Sequence, residues 1–210
     1  ANGEFCCASD VVAGFDWILS EHPEVVAVNA SLGTGVLLEG DCDGDSLPSW
    51  AQAMSMAVSN LRAAGIFTIA SAGNEGDPDG ATSPACTADA IGVGAIWDVD
   101  QPNGSGSTPW CNDDNALAGS VTCFSNQGAG IDIVAPGTSV EAAAMGGGSM
   151  EWSGTSQATP LVTACLASLH GAMPELTPEQ LRTALLNGQD EVALASGVEV
   201  PSLHCPTAFE

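Results

Sequence analysis

Short apolar runs alternate with stretches of helical period along this 210-residue chain, and that alternation most limits what it can fold into. A parallel sheet with helices on its faces has this signature. Ser9 is placed to cap a helix through about His22, with Val12, Phe15, Ile18 and Leu19 on one face. Val25-Val26-Ala27-Val28-Asn29-Ala30 reads as a buried strand. Pro48 opens a second helix carrying Trp50, Met54, Val58 and Leu61, and Gly65 ends it. Residues 66–70, 91–96 and 131–134 read as further strands. Thr177-Pro178-Glu179-Gln180 is a capping box with proline in the first turn, opening a helix through Leu181, Ala184 and Leu185 that Gly188 stops. Residues 34–48 and 98–120 form long polar loops, which in a compact domain point to function or surface decoration. No internal repeat and no linker divides the chain.

Two strand ends carry chemistry beyond packing. In open α/β sheets ligands bind beyond the carboxyl ends of the strands. Asn29-Ala30-Ser31-Leu32-Gly33 and Ala70-Ser71-Ala72-Gly73-Asn74-Glu75-Gly76 both fall there. Small residues let another chain approach the backbone, and the Asn74 amide offers a donor. Taken alone, Gly-Asn-Glu-Gly is more often an ordinary turn.

Gly154-Thr155-Ser156-Gln157-Ala158-Thr159-Pro160 sets a hydroxyl directly before the apolar run 161–167. Ser156 thus stands at a helix start, where unpaired N–H groups and the helix dipole favour negative charge. An acyl-transfer nucleophile needs that environment. A plain helix cap fits the heptapeptide as well.

Composition narrows the setting. Lys+Arg number 2 against Asp+Glu 26, a formal net charge of -24, and the bases are only Arg62 and Arg182. Charged residues are 13%, against about 25% in a typical domain. Such a surface repels nucleic acid and anionic lipid. No run reaches the roughly 18 apolar residues of a membrane span, and no targeting segment is visible at the start. Neither nucleic acid nor membrane is expected as a partner. Eight cysteines (6, 7, 42, 86, 111, 123, 165 and 205) include no C-x-x-C pair and no zinc spacing, so disulfides in an oxidising, extracellular setting are expected. Cys111 and Cys123 bracket a polar loop and form the preferred local pair. Cys165 fits a buried thiol in the helix after Ser156.

In this order, six segments resemble the subtilisin-like serine proteases: residues 28–33, 70–76, 91–95, Phe124-Ser125-Asn126-Gln127-Gly128, Val134-Ala135-Pro136-Gly137 and 153–160. The resemblance runs from about Ser9 to Asn187. It implies a subtilisin-like three-layer α/β fold, a parallel sheet with helices on both faces, with residues 1–210 the C-terminal part of a single catalytic domain. It implies that Ser156 is the nucleophile of a serine endopeptidase acting through an acyl-enzyme. It also implies that the Asn74 amide and the Ser156 N–H hold the oxyanion. Ser31, Leu32, Gly33, Ala72 and Gly73 then pair with peptide substrate and frame the specificity pocket, whose small residues leave room for a sizeable apolar side chain. The chemistry requires no cofactor.

The departures are as informative. Such triads run Asp, His, Ser, and neither the aspartate nor the histidine motif is present. His22 sits at a helix-to-strand turn, and His204 is in the tail. His170 lies 14 residues beyond Ser156 on one helix, about 21 Å at 1.5 Å per residue. The position after Pro160, often histidine in that family, is Leu161. Two explanations compete. An N-terminal fragment of the same precursor supplies Asp and His as a separate segment or chain, with Cys6-Cys7 tethering the pieces or bridging to Cys42. Alternatively, the chain is a non-catalytic binding or assembly module of the same fold. A hydrolase of another fold is a poorer match, because Gly154-x-Ser156-x-Ala158 lacks the last glycine of the nucleophile elbow.

Asp41-Cys42-Asp43-Gly44-Asp45 alternates carboxylates as a structural calcium loop would. It departs from the EF-hand at position six (Ser46) and position twelve (Gln52), so a solvated acidic turn is the better reading and structural calcium the alternative.

Overall fold

The computed structural model describes residues 7–44, 47–100, 111–114, 116–187 and 190–205. The chain opens with α1 (Ala8–Glu21), β1 (Ala27–Ala30) and β2 (Leu37–Glu39). There follow α2 (Ser49–Ala63), β3 (Phe67–Ser71), β4 (Gly80–Thr82), β5 (Ala90–Ile96) and β6 (Ile133–Pro136). The hairpin β7 (Val140–Ala143) and β8 (Ser149–Trp152) leads into α3 (Thr155–Ala172). α4 (Pro178–Leu186), β9 (Glu191–Ala193) and β10 (Glu199–Pro201) complete the described elements.

The central sheet has the order β1-β3-β5-β6 with every pair parallel, as the alternating sequence predicts. Strand residues point alternately to the two faces. Phe67 and Ile69 of β3 and Val93 and Ala95 of β5 pack with Val162, Leu166 and Leu169 of α3 and Leu181 and Leu185 of α4. Ala70 and Ala90 turn the other way, toward Phe15 of α1 and Met54, Val58 and Leu61 of α2. Helices therefore cover both faces, giving three layers. Each fully buried Leu, Ile or Phe contributes roughly 1.5–3 kcal/mol, so the two helix–sheet seams carry most of the stability. A third cluster joins the β2–β4 and β9–β10 ribbons at the margin, through Cys42, Ala72, Ala81, Cys86, Val134, Leu194 and Val200.

Element ends mostly follow local chemistry. Thr177 accepts the Gln180 N–H while the Gln180 side chain takes the Thr177 N–H, the expected capping box with Pro178 in the first turn. Gly65 adopts φ +85° directly after α2, a conformation that favours glycine. Gly188, expected to stop α4, lies outside the described residues. α1 begins one residue ahead of Ser9, with Cys7 at the cap position and no side-chain cap bond. The last central strand starts at Ile133 rather than 131, because Ile131 is taken into the Gly128 turn.

Disulfides form between Cys111 and Cys123, as expected, and also between Cys42 and Cys86 and between Cys165 and Cys205. The last two correct the sequence reading. Cys42 pairs across to the segment after β4 instead of with Cys6 or Cys7, and Cys165 is a bridge from mid-α3 to the tail instead of a buried thiol. Cys7 is exposed and free, while Cys6 lies outside the described residues.

Candidate active site

The α3 terminus is built against two other strand ends. Gly154 is the cap residue and makes no side-chain cap bond, so Ser156 lies inside the first turn and does not serve as the cap. Ser156 is half-buried, and its N–H donates to no described residue. The neighbouring N–H, that of Thr155, donates to Asn74 Oδ1 at 2.8 Å, and the Thr155 hydroxyl donates to the same oxygen at 3.0 Å. Thr155 Oγ1 also accepts the Gly73 N–H at 3.2 Å. One threonine thus pins the carbonyl end of the Asn74 amide and the wall residue beside it. A side-chain amide held by its oxygen keeps both N–H bonds for something else. A methyl group placed on Gly154 would stand 3.6 Å from Asn74 Nδ2, which locates that nitrogen against the start of α3.

Ser31 arrives from the end of β1. Its hydroxyl donates to the Ser156 carbonyl at 2.9 Å and accepts from Asn29 Nδ2 at 3.0 Å. The reason lies four residues further on. A helix carbonyl normally accepts the N–H of residue i+4, and here that residue is Pro160, which has none. Ser31 satisfies the orphan. Leu32 and Gly33 continue outside any strand, with the Leu32 carbonyl accepting the Ser71 hydroxyl at 3.2 Å. On their outer side a cavity of about 470 Å³ is lined by Leu32, Gly33, Thr34, Val11 and Trp50.

The opposing wall is Ala72–Gly73, with Gly73 at φ +103°. Asn126 braces it: Asn126 Nδ2 donates to the Ala72 carbonyl at 2.9 Å and to Glu75 Oε2 at 2.7 Å, and the Asn126 N–H donates to the Gly73 carbonyl at 3.2 Å. The space between the walls is not open. A methyl on Gly33 would lie 2.5 Å from Thr82 Oγ1, and one on Gly73 would lie 2.9 Å from the Thr82 methyl. The room expected for a sizeable side chain is therefore partly filled by Thr82.

All seven residues singled out from sequence (Ser31, Leu32, Gly33, Ala72, Gly73, Asn74 and Ser156) border this one region. Three further contributors, Thr155, Asn126 and Thr82, have no role in the sequence reading. Thr155 and Asn126 fall inside the segments that carry the resemblance, and Pro160 was the available signal that the Ser156 carbonyl needs an outside donor. Thr82 carried no signal, being one small residue in a three-residue strand.

The histidines are elsewhere. His22 is bonded to Glu24 at 3.1 Å and packs edge-on to Trp17. His170 lies near the far end of α3. His204 is exposed beside Cys205, whose partner Cys165 is nine residues, about 13 Å, along α3 from Ser156. None supplies a base at Ser156.

The described part of the acidic loop is engaged within the fold. Asp43 accepts the Ser55 hydroxyl and, at 2.9 Å, the Ala88 N–H, so both of its oxygens serve the fold. Asp45 lies outside the described residues, and among the described residues no three His, Cys, Asp or Glu side chains converge to hold a metal.

Comparison with known proteins bears directly on this arrangement. The chain is 32% identical over 180 residues to the extracellular serine proteinase of Thermus sp. strain Rt41A, covering 85% of this chain and 36% of that protein. It is 30% identical over 179 residues to Subtilisin E of Bacillus subtilis strain 168, covering 83% and 38%. Among solved structures, the patellamide maturation protease PatA is similar with a TM-score of 0.74 at 24% identity, covering 97% of this chain and 68% of that one. The prenylagaramide maturation protease PagA gives 0.73 at 22%, covering 97% and 67%. These structural likenesses speak to the fold alone. The chain spans little more than a third of the length of the two sequence relatives. The subtilase family pattern matches residues 2–199, nearly the whole chain, and so takes in the strand ends and the helix terminus just described. The chain belongs to the subtilase family.

Proposed function

We propose that this chain is the C-terminal part of a single subtilase catalytic domain and acts as a serine endopeptidase. Ser156 Oγ adds to the scissile carbonyl, and the leaving amine departs as the acyl-enzyme forms. Water then releases the acyl group. Negative charge on the carbonyl oxygen is held by the Ser156 N–H and Asn74 Nδ2. The observation that carries this reading is the double tether of Asn74 Oδ1 to Thr155, which leaves the amide N–H groups unspent beside a free helix N–H. Preorganised donors of this kind are worth most where charge develops.

The base and its orienting carboxylate come from an N-terminal segment or separate chain of the same precursor. The absence of a histidine near Ser156 supports this, as does β1, which among the described residues has a neighbour on one side only. Substrates are peptides or proteins laid along Ser31-Leu32-Gly33 and Ala72-Gly73. The chemistry requires no cofactor, and the Asp41–Asp45 loop is read as structural scaffolding. Three disulfides and a relative named extracellular support a secreted protein. Among the described residues no helix is long and apolar enough to cross a membrane.

A fluorophosphonate probe tests the reading on the native protein with any bound partner chain retained. Labelling at Ser156 is expected. Asn74→Ala should keep the fold and lower kcat by about 10²–10³, the magnitude carried over from the matching donor of a subtilisin. Absence of label would leave the non-catalytic module as the function.

A further inference from the structure

The two walls of the substrate region meet a common obstacle. Thr82, the last residue of β4, reaches Gly33 with its hydroxyl oxygen and Gly73 with its methyl group. It is 2% exposed, so no water-wide channel separates it from the walls.

Thr82 is also held in place. Its N–H donates to the Ala72 carbonyl at 2.9 Å, and its hydroxyl lies 3.3 Å from that carbonyl and 3.4 Å from the Ser71 carbonyl. Its strand pairs with β2, Leu37 opposite Thr82, and the Cys42–Cys86 bridge secures the segment that follows. A β-branched side chain has few χ1 alternatives, so swinging clear would cost both the rotamer and the hydroxyl bond. A methyl on Gly33 would fall on the Thr82 hydroxyl, and one on Gly73 would meet Asn126 Nδ2 and Glu75 Oε2 before the Thr82 methyl, so the volume Thr82 takes between the two glycines is denied to a ligand.

We propose that Thr82 sets the size of the substrate side chain accepted immediately before the scissile bond, restricting it to glycine, alanine or serine. This rests on the reading of Ser156 as the acylated nucleophile and names the substrate class of that site. A large aromatic or branched side chain would have to displace Thr82 and strip the Ala72 carbonyl of its hydroxyl donor. Pocket volume changes of one methylene shift discrimination by about 10–200-fold, so the whole threonine side chain gives a large effect.

The test uses the protein together with its Asp/His-bearing segment. Two peptidyl phosphonates that differ only in alanine or phenylalanine next to phosphorus are compared, each rate divided by that of a small fluorophosphonate without such a side chain. The wild type should react with the alanine probe at least about tenfold faster. Thr82→Gly should narrow or reverse that ratio, and Thr82→Ser, which keeps the hydroxyl and removes the methyl, should fall between. A wild-type preference for phenylalanine, or one ratio shared by all three proteins, overturns the proposal while leaving Ser156 as nucleophile. Failure of the small fluorophosphonate to label Ser156 removes the catalytic reading and the pocket reading with it.

Discussion

At the scale of single residues, the site depends on polar groups that each complete a neighbour's unmet bond. Thr155 holds Asn74, and Asn126 braces the Ala72–Gly73 wall. Ser31 replaces the donor that Pro160 cannot provide. Ser31→Ala leaves the Ser156 carbonyl without a partner in a half-buried place. Orphaning a buried acceptor costs about 1–3 kcal/mol. The variant should therefore unfold at lower urea with an unchanged m-value. A shift within a few tenths of a kcal/mol would mean that water substitutes freely for the hydroxyl.

At the scale of elements, α4 is fastened to the sheet by charge as well as by Leu181 and Leu185. Asp132, at the entry to β6, accepts the Gly92 N–H at 2.9 Å and Arg182 Nη2 at 2.6 Å. Burial nevertheless raises its pKa above 3.8, outweighing the Gly92 hydrogen bond and the arginine. A carboxyl with a raised folded pKa takes up its proton in the fold before it does so in the unfolded chain. Its stabilising contribution is complete below the unfolded value and is lost as pH rises through the folded one. The stability of wild type minus that of Asp132→Asn should thus decline as pH rises above the unfolded value, about 3.9. Denaturant titrations across that range would contradict this if the difference grew with pH. The elements themselves were largely legible. β3 and β5 are continuous apolar runs buried on both faces, and the Thr177 box and Gly65 state their ends in local chemistry. What was not legible is tertiary. The partners of Cys42 and Cys165 stand 44 and 40 residues away with no local pattern to choose them. The wedge at Thr82 exists only because Gly33, from a different strand end, closes on it.

For the whole molecule, electrostatics is one-sided. Both arginines are committed, Arg62 to Glu179 and over the Phe67 ring, and Arg182 to Asp132. With a formal charge of -24 and no lysine, most carboxylates have only solvent ions as counter-charge. Screening shortens from about 30 Å at 0.01 M to about 3 Å at 1 M salt. The melting temperature should climb across that interval, equally with sodium and potassium chloride. A flat or falling curve would imply that the acidic groups are spaced too widely to repel. The bond between Ser31 and Ser156 has a temporal consequence as well. It joins positions 125 residues apart in a chain whose central sheet is wholly parallel, so it forms only after slow, long-range closure. Until then the hydroxyl at 156 has no strand end beside it, so the region that borders it is among the last parts of the fold to be completed.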